Sequence, residues 1–452
     1  MSTVLDLTDQ VHFLGEQATG TSIVLQCVWV YDTTIDLEGL RRFHHHLQRG
    51  RLARRIDPSP LPFGRHRWVA ADRTPDLHVA QPPRPRGEFD AWLDEQAELP
   101  LDAEQGPGWR LAVLPFAEGG AGVTLVISHC LTDGVGLCEA LADAASGRGD
   151  AITWPAAPGR RRWPTVRRDL RQTASDLPDI GRAVAAAVRA LGSAPRAAAP
   201  ARTARRELPS GRGRAARLST ATVLVDATHW DMRAQALGGT SNTMLAAVAA
   251  RLAVRLGRVG ADGSALLAMP VNNRLPGDTR ANALTGIEIS VDPRAVLTDL
   301  RDVRAATKRA LIHRRDVPDE RFALLPLTPL LPKWLVRRMI GMAVGEAVTG
   351  SSNLGAVNPA ALRPDGTEAD SFAMKMRYPR MTEATMRHTR GLLSLLSGRT
   401  SDTVFVSVVA HQPVGAEHSL PQLISSALAD FSLTTTTQRR TPERLAAARG
   451  RP

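Results

Sequence analysis

The feature that most constrains this chain is a change of character between residues 156 and 218. There the sequence runs through PAAPGRRRWPTVRRDLRQ and SAPRAAAPARTARRELPSGRGRAARLS, and proline, alanine and arginine at that density supply little to a packed core. The stretch reads as a basic Pro/Ala/Arg-rich linker, 156–218, with one weak helix at DIGRAVAAAVRALG. Its arginines are either simply solvated or reach anionic lipid headgroups or the phosphates of a thioester donor. The linker separates an N-terminal unit, 1–155, from a C-terminal unit, 219–434, and a polar basic tail, 435–452, is expected to be disordered. Two units suit the 452 residues, because a single hydrophobic core stops growing beyond roughly 250–300 residues.

Both units mix strand and helix signals. In the first, SIVLQCVWVYD reads as a strand and LEGLRRFHHHLQR as a helix, with Leu37, Leu40, Phe43 and Leu47 at helical spacing. A helix at FDAWLDEQAELPLD precedes the strands WRLAVLPF and GVTLVISH, which are joined by the turn AEGGAG. In the second, ATVLVDATHW is read as a strand and TSNTMLAAVAARLAVRL as a helix capped at Thr240 or Ser241. Further strands are expected at ALLAMPVNN, TGIEISVD, SFAMKMRYP and TVFVSVVAH. RFALLPLTPLLPKWLVRRMIGMAVG is the most apolar and least regular segment; it suits core packing or a greasy face for an acyl chain or bilayer surface.

Composition narrows the classes of function. No apolar run approaches the roughly 18–20 residues of a spanning helix, and MSTVLDLTDQVHF shows no basic segment followed by an apolar core. Three cysteines, Cys27, Cys130 and Cys138, lack metal-type spacing and suit a reducing cytoplasm, with contact at a membrane surface left open. The formal charge of +12 fits an acidic ligand such as coenzyme A or a carrier protein, or reflects an arginine-rich composition with only Lys308, Lys333 and Lys375 as lysines. At 4% aromatics, nucleic-acid binding lacks its stacking residues. Consecutive His44, His45 and His46 point about 100° apart on a helix and cannot close on one metal ion. A P-loop, G-x-G-x-x-G after a strand, H-E-x-x-H and G-x-S-x-G are all missing, which leaves a cofactor-free, histidine-based chemistry.

That histidine is His129, in VISHCLTDGVGLCEAL. Strand signals stop at Ser128, and Leu137, Ala140, Leu141 and Ala144 share one helical face after it. A histidine at the lip of a strand projects its ring into a crevice, and its basicity near neutrality lets it accept a proton. Gly134 brings backbone N–H groups to the positive end of the following helix, where an oxyanion is stabilised. By itself H-x-x-x-D-G is a weak signal, and a solvent-exposed turn histidine is the better reading of it.

The surrounding markers carry a resemblance. LTDQVHFLGEQ, LPFGRHRWV, LPLDAEQGPGWRLAVL, the motif SHCLTDG, TSNTMLAAVAARL, MPVNNR followed by ANALTGIEISVD, and SSNLGAV stand in this order. Together they resemble the condensation-domain superfamily of acyltransferases, especially its wax ester synthase/diacylglycerol acyltransferase branch. That family's motif is H-H-x-x-x-D-G; here the second histidine maps onto His129 and the first position is Ser128. The sequence also departs from the family in Pro107-Gly108-Trp109, where storage-lipid enzymes carry Pro-Leu-Trp, and in its basic linker.

The resemblance implies an α/β (α+β) fold of two chloramphenicol-acetyltransferase-like subdomains with an active-site tunnel between them. It implies that His129 deprotonates an alcohol or amine acceptor, which attacks the thioester of acyl-CoA or an acyl-carrier protein, with the oxyanion held partly by Gly134 N–H. No cofactor is implied beyond acyl-CoA as co-substrate. Asp133 is implied to be structural, with Arg274 as its salt-bridge partner. Ser128, Asn242, Ser352 and Asn353 are expected to position substrate; for Asn242, Ser352 and Asn353 the alternatives are to hold the two halves together or to cap a helix or turn. Two other readings stand beside a storage-lipid enzyme: a condensation-type enzyme making an ester or amide of a specialised metabolite, and a non-catalytic homologue that binds lipid or a carrier protein.

Overall fold

The computed structural model describes residues 3–73, 75–148, 152–157, 162–193, 213–317, 323–343, 348–412 and 415–435. The chain opens with α1 (Leu7–Thr19), β1 (Val24–Tyr31), α2 (Leu37–Leu47), β2 (Arg54–Asp57), β3 (Arg67–Ala70), β4 (Leu77–Val79) and α3 (Phe89–Glu98). The motif lies between β5 (Trp109–Pro115), β6 (Ala121–Ser128) and α4 (Gly134–Ala145). After α5 (Arg162–Ser193) come β7 (Leu218–Asp226), α6 (Ala227–Ala236), α7 (Ser241–Arg255), β8 (Ala265–Asn272), β9 (Leu284–Val291) and α8 (Arg301–Asp316). The last elements are α9 (Lys333–Ala343), β10 (Thr349–Ala356), β11 (Ser371–Arg377), α10 (Glu383–His388), β12 (Leu393–Arg399), β13 (Thr403–His411) and α11 (Leu420–Ala429).

Two mixed sheets organise these elements. The first has the strand order β11-β1-β6-β5-β4 and the second β7-β13-β12-β10-β8-β9; β2 and β3 form a separate hairpin. The eight residues of β6 are all buried, as expected of a strand covered on both faces. Its neighbour β1 is also buried along its length and pairs antiparallel with β6, Val24 opposite Ser128. This central position holds the end of β6, and so the start of the motif, in the middle of a sheet.

The second unit does not keep to itself. The strand SFAMKMR, assigned by sequence to 219–434, crosses over as β11 and pairs with the outer side of β1, Cys27 opposite Met374. Trp29 Nε1 donates to Ala361 O at 2.9 Å and Tyr31 Oη to Asp365 Oδ1 at 3.0 Å, fastening the incoming segment to β1. One apolar cluster therefore includes Leu25 and Trp29 together with Phe372, Met374 and Phe405. A strand's sheet depends on distant pairing partners, which local periodicity does not report.

The stretch read as a linker is also more ordered than its composition implied. Its described part carries α5, a 32-residue helix with Pro178 inside it. Asp169, 1% exposed in its side chain, accepts from Arg67 Nη2 at 2.8 Å and from Ser59 Oγ at 2.5 Å, so the helix docks on β3 through a buried ion pair. The same helix leaves Trp163, Leu170, Leu177 and Val184 exposed. Residues 194–212 and most of the basic tail lie outside the described residues. ATVLVDATHW divides at Asp226, whose carboxylate caps α6 by accepting from His229 N–H. No helix of the described residues is long and apolar enough to cross a membrane.

Candidate active site

Asp133 shapes the turn after β6. As the N-cap of α4 it accepts from Gly136 N–H at 2.7 Å through Oδ1. Its Oδ2 accepts from Ala283 N–H at 2.8 Å and from Arg274 Nη2 at 2.7 Å. Both side chains of the pair are nearly sealed, 2% exposed for Arg274 and 1% for Asp133. The guanidinium also donates to the carbonyls of Arg280 and Ala281. Gly136 makes room for this contact, since a Cβ there would stand 2.8 Å from Arg274 Nη2. Asp133 is thus committed to holding the two units together.

The segment 278–283 acts as the bridge between them. Asp9 of α1 is fully buried and accepts from the N–H groups of Ala281 and Asn282. Burial pushes its carboxyl up to about 6, against the opposing pull of Arg54. Asn282 Nδ2 donates to His129 O at 3.1 Å, and His129 N–H donates to Ile23 O at 2.9 Å. Arg54 Nη1 and Nη2 donate to Thr279 O and Leu131 O, while its guanidinium lies 3.9 Å from the Trp68 ring centroid and 4.8 Å from that of Trp154. Burial lowers this arginine to about 9.

His129 lines a cavity of about 320 Å³ with an apolar character. α1 contributes Val11, His12, Gly15, Glu16 and Thr19 to the lining, which also includes Tyr378, Met381 and Thr385. Burial holds the His129 imidazole below its ordinary value of 6.5, although Asp133 and the Asn282 side chain favour the cation. A neutral ring with an available lone pair is the state a general base needs. The His12 ring is parallel to it, at 2° and 5.7 Å between centroids.

Cys130, next in the chain, donates its thiol hydrogen to Glu16 Oε2 at 3.1 Å. Burial, reinforced by Glu16, pushes that thiol well above 9.0, so it stays protonated and is a poor nucleophile.

A second cavity of about 910 Å³ opens against the sheet of the C-terminal unit. Its lining includes Thr285, Ile287 and Glu288 of β9, His313 and Arg314 of α8, Gly350, Ser351 and Ser352 of β10, and Met376. Tyr378 lines both cavities and marks where they approach each other. Gly134, the first residue of α4, lies against β10 and β11: a Cβ there would stand 2.6 Å from Leu354 and 3.6 Å from Met374 Sδ. The N–H groups of a first helical turn have no intrahelical acceptor, and the helix dipole favours negative charge there.

The residues singled out in the sequence are not all brought together. His129, Asp133, Gly134 and Arg274 meet at the turn, and Ser352 lines the larger cavity. Ser128 is buried, its hydroxyl accepts from Cys130 N–H and shapes the turn, and it is among the lining residues of neither cavity. Asn242 is exposed on the first turn of α7 and is among the lining residues of neither cavity. The cap of α7 is Thr240, in a capping box with Thr243. Asn353 turns its Oδ1 onto Gly355 N–H at 2.9 Å and also stays out of both linings.

Conversely, His12, Glu16, Asn282 and Ser351 were not singled out. Ser351 Oγ is buried on the larger cavity with no hydrogen-bond partner among the described residues. Asp9, His12, Glu16 and Asn282 lie within segments that carry the resemblance, but their contacts span more than a hundred residues of chain. Among the described residues no group of three His, Cys, Asp or Glu could hold a metal ion.

Comparison with known proteins agrees with this architecture. Residues 26–245 match the wax ester synthase/diacylglycerol acyltransferase catalytic domain family. A protein of Mycobacterium tuberculosis, named as a candidate diacylglycerol O-acyltransferase, is 28% identical over 394 residues, 78% of each chain. The solved wax ester synthase/diacylglycerol acyltransferase from Marinobacter aquaeolei VT8 has a TM-score of 0.53 at 15% identity, covering 95% of this chain and 99% of that one. Polyketide synthase associated protein 5 from Mycobacterium tuberculosis gives 0.54 at 14%, covering 95% and 98%. The first condensation domain of the calcium-dependent antibiotic synthetase gives 0.54 at 15%, covering 98% and 99%. At these identities the solved structures establish likeness of fold.

Proposed function

The chain is related to wax ester synthase/diacylglycerol acyltransferase catalytic domains and has a condensation-domain fold; from that premise we propose that it transfers an acyl group from a phosphopantetheine thioester to an alcohol, with His129 as general base. The thioester is carried by coenzyme A or by a carrier protein. What supports this most is the placement of a low-basicity His129 on a cavity wall one turn before the N-terminus of α4, while Asp133 is engaged by Arg274.

In this mechanism the acceptor occupies the smaller cavity and the thioester enters from the larger one. His129 removes the hydroxyl proton as the oxygen attacks the thioester carbonyl. The negative charge that develops on the carbonyl oxygen is stabilised by Gly134 N–H at the helix N-terminus. Collapse of the tetrahedral intermediate breaks the carbon–sulfur bond, and the thiolate takes the proton back from the imidazolium, giving an ester and a free thiol. Ser351 and Ser352 offer hydroxyls to the polar arm of the donor on its way to His129.

The reading is tested by following free thiol release from acyl-CoA donors of short to long chain, and from acylated carrier protein, with and without long-chain alcohol, diacylglycerol or a small amine. Release that depends on an alcohol supports the proposal and identifies the donor carrier. Failure of every donor and acceptor to give acceptor-dependent release would leave binding without catalysis.

A pH dependence follows from the same site. Because burial favours the neutral imidazole, kcat/KM is expected to stay high as the pH is lowered through 6.5 and to fall only as it passes the depressed value of His129. A pH–rate profile whose acid limb has its midpoint above 6.5 would contradict a buried His129 as the base.

A further inference from the structure

We propose that His12 of α1 is a positioning residue for His129, fixing the plane of the base's imidazole by ring stacking. This rests on the reading of His129 as the base. A catalytic histidine usually has its ring oriented by a hydrogen bond from its second nitrogen to a carboxylate or carbonyl. Here Asp133 is occupied by Gly136 N–H, Ala283 N–H and Arg274, and His129 Nδ1 is buried with no hydrogen-bond partner among the described residues. The main chain of His129 is held at both ends, its N–H by Ile23 O and its carbonyl by Asn282, and Asp133 and the Asn282 side chain act on the imidazole by favouring its cation, but the bonds to the main chain do not themselves set the plane of the ring.

His12 constrains the face of the ring. Its ring is parallel to that of His129 within 2°, with centroids 5.7 Å apart, inside the range of offset aromatic pairs, roughly 4.5–7 Å. Both rings line the same cavity. Burial, followed by repulsion from His129, lowers His12 to about 4, so near neutral pH it presents an uncharged aromatic face and is only a weak base.

One helical turn further on, Glu16 receives the thiol hydrogen of Cys130. Residues four apart share a helix face, so α1 contacts two consecutive residues of the motif turn from one side. The helix is itself fixed by Asp6 at its N-cap, by the bonds of Asp9 to Ala281 and Asn282, and by Gly20 at its C-cap.

Two variants separate ring placement from folding. His12→Ala removes the stacked ring, and His12→Phe keeps a flat ring that cannot titrate. In the acyl-transfer assay His12→Ala is expected to lower kcat by about 10- to 100-fold with little change in KM, and His12→Phe to recover most of the loss. Separately, His129 should be carbethoxylated by diethyl pyrocarbonate several-fold faster in His12→Ala than in the wild type or in His12→Phe, read by mass spectrometry at that residue. Wild-type kcat in His12→Ala, or labelling of His129 that is unchanged, would overturn the proposal. An inactive wild-type protein would remove the acyl-transfer reading, and the labelling comparison would still decide the ring contact.

Discussion

Asp133→Ala is expected to destabilise the protein by about 3–5 kcal/mol and to abolish any activity that depends on the turn. The carboxylate has three partners, Gly136 N–H, Ala283 N–H and the guanidinium of Arg274, and its loss would leave an arginine only 2% exposed in its side chain without a counter-charge. Desolvating two ions is costly, so the pair need not add much net stability over an apolar replacement; the damage comes from removing one partner only.

That distinction gives the prediction its control. The double variant Asp133→Ala/Arg274→Met should be less destabilised than Asp133→Ala alone, because no uncompensated charge remains, and the cycle measures the coupling. Urea unfolding of the four proteins checks this. A loss below about 1 kcal/mol for Asp133→Ala would place the pair in the weak class of solvent-exposed bridges and contradict its burial.

The second large effect concerns the base. His129→Ala is expected to reduce acceptor-dependent thiol release by about 10²- to 10⁴-fold, with stability little changed. The asymmetry between the two substitutions has a structural origin. Asp133 points into the joint between the units, whereas the His129 side chain lines a cavity and only its main chain is fastened, by bonds that alanine retains.

The sequence was most legible where one short segment carried the whole signal. A strand running to about Ser128 and a helix following the connection 129–134 were expected from local periodicity, and a cap of α7 at Thr240 or Ser241 from residue type, of which the structure uses Thr240. The joint between the units was less accessible, because its geometry depends on residues far apart in the chain. Asp133 and Arg274 are 141 positions apart, and their pairing was anticipated only through resemblance. The stack of His12 on His129 leaves no periodic trace.

The misses have the same origin. The apolar alternation of SFAMKMR identifies a strand but not which sheet it joins, and β11 went to the other unit. An arginine- and proline-rich stretch looks solvated until one aspartate, Asp169, is seen to be buried against Arg67. For Asn242 the substrate role came from the resemblance alone; the residue is exposed on the first turn of α7, whose cap is Thr240.

The account turns on whether His129 moves the acceptor's proton, and the most direct measurement compares wild type and His129→Ala for thiol release with the best donor and alcohol pair, at matched thermal stability. The account predicts alcohol-dependent release in the wild type and its near-complete loss in the variant. Equal alcohol-dependent release from the two proteins would show that some other group carries the reaction and would contradict the account.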